Sequence, residues 1–315
     1  MNAAVIGPSN KDLTVFLDGT FIKFSEAVFY ANNQALNYGT GTFEGIRAYA
    51  NAGHNQLNLF RVREHYDRLL ASAAILKIVI PYSSDELVAI TKELLIKNAL
   101  REDVYIRPLV LKKALLPGQK FGVKLSGISA TICINAMPMG SYAKTSGLRC
   151  TVSSWQRISN AAIPSSAKIT GTYVNSALAY DEAQENGFDD AILFNEHQQC
   201  AEATTSNVFI VKDGKVSTPP LSAGLLNGIT RRSVIDICET HAIPCAERNI
   251  TKEMLYGADE CFLTGTGLEL ATVSVMDGVH YPAQDESIAE FISTEYQRIV
   301  RGEHDKFSSW LTPVY

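Results

Sequence analysis

Paired cysteines are missing from this chain. Its six cysteines, Cys133, Cys150, Cys200, Cys238, Cys245 and Cys261, are scattered, with no Cys-x-x-Cys and no clustered histidine among them. Such spacing indicates neither a disulfide framework nor a zinc site, and no metal is expected. Most of these thiols lie in apolar runs and read as inert core residues. An excess of positive charge is also missing: the net charge of -5 leaves no electrostatic footprint for nucleic acid or an anionic membrane. No apolar run approaches a membrane span, and the opening Met-Asn-Ala-Ala-Val-Ile-Gly-Pro lacks the basic region and apolar core of a signal peptide. The expected location is therefore the cytoplasm. There is no Gly-x-Gly-x-x-Gly and no P-loop, so no nucleotide cradle is indicated. Internal repeats and low-complexity tracts are absent as well.

What is present is an ordinary globular composition over 315 residues, long for one core and suited to two domains of roughly 130 to 170 residues. Asp18-Gly19 between apolar runs predicts a hairpin. A second hairpin is expected from Gly45–Ala50, the turn Asn51–His54 and Leu57–Phe60. Tyr66, Leu69, Leu70 and Ala73 recur at helical spacing, and Ser83 with Glu86 forms a capping box ahead of Leu87, Ile90, Leu94 and Leu95. Strands at 104–112 and 130–136 complete a mixed first domain, 1–136. The Gly-, Ser- and Pro-containing stretch 137–147 reads as a linker, and 148–315 as a second domain alternating strands and helices.

One lysine stands apart. Lys168 is the only lysine between Lys144 and Lys212, set in Ala161-Ala-Ile-Pro-Ser-Ser-Ala-Lys168-Ile-Thr-Gly-Thr-Tyr173. An ammonium among small and apolar neighbours loses hydration, which favours the neutral amine that can attack a carbonyl. Taken alone, the segment reads as a solvent-facing loop, as most short-motif matches do. Downstream, a helix is expected over 174–184, with Val174, Ala177 and Leu178 at helical spacing and Ala179-Tyr180 widening its apolar face. Glu202 then sits between Ala201 and Ala203 at the mouth of an apolar strand, either as an edge carboxylate or cap or as a buried acid. Gly228-Ile229-Thr230 precedes a helix, which makes either an ordinary cap or an anion site at unpaired N–H groups. Alternation places Tyr105 and Arg107 on one face of a strand.

Six segments in this order resemble the fold-type IV pyridoxal-phosphate enzymes, and among them the branched-chain amino-acid aminotransferases. They are Tyr38-Gly-Thr-Gly-Thr-Phe43-Glu-Gly-Ile-Arg47, Phe60-Arg-Val-Arg-Glu-His65-Tyr-Asp-Arg68-Leu, Tyr105-Ile-Arg107-Pro-Leu, Lys168-Ile-Thr-Gly-Thr-Tyr173, Gly228-Ile-Thr230-Arg and Thr264-Gly-Thr266-Gly-Leu-Glu. The resemblance covers nearly the whole chain. It implies a mixed α+β and α/β architecture of two domains, like that of D-amino-acid aminotransferases. It implies pyridoxal 5'-phosphate as cofactor, with Lys168 as the catalytic Schiff-base lysine and Glu202 holding the pyridine nitrogen protonated. Tyr173 would meet the cofactor's phenolic oxygen, while Ile229, Thr230, Thr266 and Arg68 would meet its phosphate. For substrate it implies Tyr105 with the backbone of Thr266 and Gly267 at the α-carboxylate, and Arg107 at the second carboxylate of glutamate or 2-oxoglutarate. Phe43 and Tyr38 would line the side-chain pocket, Tyr38 from the other protomer of a homodimer or larger assembly. Asn207, five residues after Glu202, receives no role.

The chain departs from the commoner family pattern at Thr172, Ala203, Gly267-Leu268 and Met139. The last two touch the implied substrate pocket, so they bear on side-chain preference more than on reaction class. The expected partners are small amino acids and 2-oxo acids, the donors being L-leucine, L-isoleucine and L-valine. The Thr-Thr-Ser-Asn run after Glu202 also resembles D-amino-acid aminotransferases and aminodeoxychorismate lyases. A D-amino-acid or (R)-amine aminotransferase, or such a lyase, is therefore the alternative.

Overall fold

The structure is a computed structural model that describes residues 13–51, 53, 55–113, 120, 122–140, 147–281 and 286–315. Part of the expected turn 51–54 and residues 141–146 of the expected linker lie outside the described residues. The chain forms two compact units. The first runs to Gly140 and takes in Ala167–Gly171 and Asp305–Tyr315, and the second holds the residues up to Ser166 together with Thr172–His304. The lysine segment and the C-terminal segment thus group with the first unit, although in sequence both fall beyond residue 147.

The first unit contains β1 (Thr14–Leu17), β2 (Thr20–Lys23), α1 (Gln34–Tyr38), β3 (Gly41–Phe43), β4 (Ile46–Asn51) and β5 (Gln56–Phe60). They are followed by α2 (Val62–Ile75), α3 (Ser84–Lys97), β6 (Val104–Lys112) and β7 (Ala130–Pro138), the last extending into the stretch read as linker. Asp18 and Gly19, both with positive φ, close the first hairpin as expected. Helix α2 buries Tyr66, Leu69 and Ala73, and Ser83 and Glu86 make the expected capping box on α3. Strand β6 alternates buried and half-buried residues along its whole length, with Tyr105 and Arg107 on the less buried face.

The second unit contains β8 (Leu148–Val152), α4 (Tyr173–Glu185), β9 (Asp190–Phe194), β10 (Cys200–Ala203), β11 (Asn207–Lys212) and β12 (Lys215–Thr218). Next come α5 (Ile229–Thr240), β13 (Cys245–Glu247), α6 (Lys252–Tyr256), β14 (Glu260–Gly265), β15 (Glu269–Met276), β16 (Val279–His280) and α7 (Ile288–Val300). The chain ends with β17 (Leu311–Pro313), which pairs with β5.

Among the described residues the first unit's sheet runs β17-β5-β4-β6-β7-β1-β2, with β3 on β6, and its pairings are antiparallel. The second sheet runs β10-β9-β8-β15-β14-β11-β12-β13 and is mixed, being parallel at β8/β9, β8/β15 and β12/β13. The two-domain α+β and α/β expectation is met in these sheets. Cys150, Cys200 and Cys261 lie in the second unit's apolar core. Burial pushes the Cys261 thiol up to about 12, as befits an inert core thiol.

Helix α4 corrects one expectation. Of its expected apolar face only Ala179 is buried: Ser176, Ala179 and Ala183 face the protein, while Val174 is 64 %, Leu178 42 % and Tyr180 46 % exposed. Small residues let the helix lie close on β9, and the larger apolar side chains point away.

Candidate active site

The lysine segment is built into the first unit by a short zipper. Phe43 N–H donates to the Lys168 carbonyl at 3.2 Å, Lys168 N–H donates to Ser72 Oγ at 3.0 Å, and Thr42 forms an antiparallel bridge with Ile169. Thr170 Oγ accepts from Gly41 N–H at 3.2 Å and donates to the Gly39 carbonyl at 3.0 Å. Gly171 N–H donates to the same Gly39 carbonyl at 3.2 Å. Gly39 adopts φ 67°, and a Cβ there would fall 2.7 Å from Gly171 Cα, so this approach requires glycine. Ala167 and Ile169 are buried on either side of the half-buried Lys168.

From that backbone the Lys168 ammonium lies 4.8 Å from the centre of the Phe43 ring, and the Arg107 guanidinium lies 4.9 Å from the same ring. Arg107 Nη2 donates to Tyr105 Oη at 2.7 Å. Gly45 leaves room for that phenol, since a Cβ there would stand 2.2 Å from Tyr105 Oη. The structure thus brings together Lys168, Phe43, Tyr105 and Arg107. Tyr38 ends α1 and is exposed.

Arg68, on α2, is largely buried. Its Nε and Nη2 donate to Glu44 at 2.6 and 2.8 Å, and Glu44 also accepts from His65 Nδ1 at 2.7 Å. Burial alone would push the Glu44 carboxyl up. The Arg68 charge and the hydrogen bonds from His65 and Arg68 overcome this and hold it at about 2. Burial drives His65 below its ordinary value, against the pull of Glu44 and with help from Arg68 and Lys168. Glu44 and His65 carry no signal as a pair in the sequence. His65 and Arg68 do lie three residues apart on α2, which puts them on one helix face.

In the second unit Glu202 follows a β-bulge in β10 and is 8 % exposed. Its Oε1 pairs with Arg157 Nη2 at 2.9 Å, and Oε2 accepts from Leu226 N–H at 3.1 Å and Asn207 Nδ2 at 3.4 Å. Asn207 also donates to the Leu226 carbonyl at 2.9 Å. A Cβ on Gly228 would fall 2.0 Å from Asn207 Oδ1. Asn207 therefore ties the acid to the start of α5, which is the role the sequence did not disclose. Arg157 was missed as well, because forty-odd residues separate it from its partner.

Ile229 and Thr230 open α5, are buried, and follow a glycine cap that offers no side-chain acceptor to their N–H groups. Thr266 and Gly267 form the turn after β14, and Gly265 beside them packs on Thr205 and Ser206. Tyr173 shares a cavity of about 730 Å³ with Thr204, Thr205, Ser206 and Leu268.

Each unit thus carries part of an enzyme's equipment: the first a pinned lysine, the second a buried carboxylate paired to arginine and a helix N-terminus suited to an anion. The chain matches the family model of amino-transferase class IV over residues 41–275, and it belongs to that family. It is 42 % identical to a probable branched-chain-amino-acid aminotransferase of Aquifex aeolicus, over 95 % of this chain and 96 % of that one. A branched-chain aminotransferase from the archaeon Thermoproteus uzoniensis, solved with norvaline, superposes with TM-score 0.91 at 41 % identity, covering 96 % of this chain and 99 % of that one. The branched-chain amino acid aminotransferase of Thermobaculum terrenum, solved in its PLP-bound holo form, gives TM-score 0.90 at 30 % identity, covering 97 % of this chain and 99 % of that one.

The donor set fits pyridoxal 5'-phosphate on structural grounds. The α5 N-terminus begins at a glycine where a Cβ would displace the Asn207 side chain, next to a buried carboxylate ion-paired with Arg157. A phosphate and a protonated ring nitrogen call for such groups.

Proposed function

We infer that this protein is a pyridoxal-phosphate-dependent branched-chain amino-acid aminotransferase. It moves the amino group of L-leucine, L-isoleucine or L-valine to 2-oxoglutarate, giving the branched-chain 2-oxo acid and glutamate in a ping-pong cycle. The observation that carries this reading is the array of Lys168, Phe43, Arg107 and Tyr105, which sets an amine beside an apolar ring and a hydrogen-bonded phenol–guanidinium pair. The names of its relatives agree.

The cofactor, when bound, supplies the electron sink that lets the substrate α-carbon lose a proton. Lys168 would hold it covalently and, once released, carry that proton to and from the α-carbon. Glu202, paired with Arg157, would hold a proton on the ring nitrogen, and Tyr173 would donate to the phenolic oxygen. Ile229, Thr230, Thr266 and Arg68 would hold the phosphate, with Glu44 and His65 positioning Arg68. Tyr105 and the backbone of Thr266 and Gly267 would receive the α-carboxylate. Arg107 offers a planar fork to the second carboxylate of 2-oxoglutarate, while Phe43 and Tyr38 give the aliphatic donor its apolar wall. One site thus accepts an aliphatic chain and a carboxylate in turn.

Among the described residues no helix is long and apolar enough to cross a membrane, and we place the enzyme in the cytoplasm as at least a homodimer. The test is the absorbance of the purified holoenzyme as L-leucine, D-alanine and (R)-1-phenylethylamine are added in turn without an oxo acid. Conversion to the pyridoxamine band by L-leucine supports the assignment. Conversion by D-alanine or the amine alone would move the protein to the alternative branch.

A further inference from the structure

The six histidines show no ligand spacing in the sequence, yet folding gathers two of them around one acid. His241 caps the C-terminal end of α5, Glu295 lies on α7, and His304 follows the end of α7. One possible ligand atom from each lies within 4.8 Å of the others. Both imidazoles address the same oxygen: His241 Nε2 is 3.4 Å and His304 Nε2 3.9 Å from Glu295 Oε2. Around a cation with zinc-type bonds of about 2.0–2.2 Å, tetrahedral ligands stand roughly 3.4 Å apart. The His241–Glu295 pair already has that spacing, the His304–Glu295 pair needs to close by roughly half an ångström, and the two imidazoles, within 4.8 Å of each other, need to close by up to about 1.4 Å.

Burial gives the second argument. Glu295 is 6 % exposed, and both its Oε2 and His241 Nε2 are buried without a hydrogen bond. The two atoms face each other at 3.4 Å without making a hydrogen bond, and a shared cation would satisfy both. The other carboxylate oxygen, Oε1, accepts from Arg298 Nη1 at 2.7 Å, which fixes the group with Oε2 toward the imidazoles. The His241 ring is braced edge-on by Phe291 at 5.1 Å and stands 6.2 Å from the His304 ring at 80°. The two histidine side chains are 27 % and 20 % exposed, so an ion and a water ligand can enter from solvent.

We propose that His241, Glu295 and His304 bind a divalent transition-metal ion of the zinc type, with water completing the shell, and that the ion clamps the C-terminal end of α5 to α7. Two imidazoles and one carboxylate suit zinc, cobalt or nickel better than magnesium or calcium. The site is independent of the aminotransferase assignment, and no residue of it is placed in the catalytic machinery. Difference spectra of tag-free holoenzyme titrated with cobalt(II) test it, with thermal melts in zinc(II) as a second reading.

The expected result is one equivalent of cobalt per chain with visible d–d bands, and a melting temperature raised by zinc. In His304→Gln, and in Glu295→Gln, affinity should fall by at least roughly 100-fold, since even outer-shell changes at metal sites cost about 10–100-fold. His304 is the more exposed position, so its variant keeps the test open if Glu295→Gln fails to fold. A wild-type protein with no cobalt spectrum overturns the proposal, as does a spectrum that both variants retain.

Discussion

Glu202 is held in a buried place by donors from three separate segments, Arg157, Asn207 and the Leu226 backbone. A buried carboxylate without such partners would take up a proton and lose the charge that its proposed task requires. In Glu202→Gln the shape is kept and the charge is lost. The expected outcome is a kcat lower by roughly 10²–10⁴-fold with the cofactor still bound, read from single-turnover rates with L-leucine. An unchanged kcat would remove Glu202 from the mechanism. Lys168, Tyr105 and Arg107, which lie together around Phe43 in the fold, could be picked out in the sequence as candidates because chemistry-bearing residues recur there in recognisable segments. Asn207 and Arg157 were not, because their meaning lies in contacts across 5 and 45 residues that only folding creates.

The Glu44, His65 and Arg68 cluster gives a prediction about pH. His65 lies below its ordinary 6.5 in the folded chain, so the unfolded chain binds its proton first. That contribution to stability is complete above pH 6.5 and is lost as pH falls toward the folded value. Glu44 is held at about 2 in place of 4.5, so its contribution is complete above 4.5 and disappears as pH falls toward 2. The second shift corresponds to on the order of 3 kcal/mol. Urea unfolding of the wild type and of Glu44→Gln from pH 8 to pH 3 should therefore show a stability gap that narrows as the solution is acidified. A gap that stays constant would mean that the ionised form of Glu44 is not what stabilises the fold.

At the scale of elements, periodicity and capping chemistry were informative. The Ser83–Glu86 box starts α3, and the alternation of β6 sets Tyr105 and Arg107 on one face. Periodicity failed for α4, where an apolar stripe was visible but the side that faces the protein is the one with small residues. Hydrophobicity marks a face that avoids water without saying which surface covers it. The junction between Gly39 and Gly171 was also invisible, because two glycines 132 positions apart carry no mutual signal. Gly39→Ala tests its weight: positive φ and the 2.7 Å approach to Gly171 Cα together predict a loss of about 1–3 kcal/mol. Because the clash falls on the lysine segment, the rate of transamination should drop in the surviving folded enzyme as well. Thermal melting and kcat on the same sample check both, and a variant matching the wild type in each would show that the segment is not pinned there.

At the scale of the whole molecule, exposed apolar side chains gather in two runs among the described residues. In the first unit Val28 is 75 %, Tyr30 76 % and Leu36 72 % exposed, with Phe29 and Tyr38 near 40 %, all within eleven consecutive positions. In the second unit α4 adds Val174, Leu178 and Tyr180. Scattered exposed apolar residues are normal, but runs of this density mark surfaces that another protein covers. A second copy of the chain is the occupant that the proposed role of Tyr38, in the pocket of a neighbouring protomer, calls for. Light scattering after size exclusion should give a dimer or a multiple of it. Charged substitutions at Val28 and Tyr30 together should shift the population toward monomer, with transamination falling in parallel as Tyr38 leaves its neighbour. Fully active monomers would separate the two ideas: the apolar runs would then serve something other than self-association, and Tyr38 would act within its own chain or not at all.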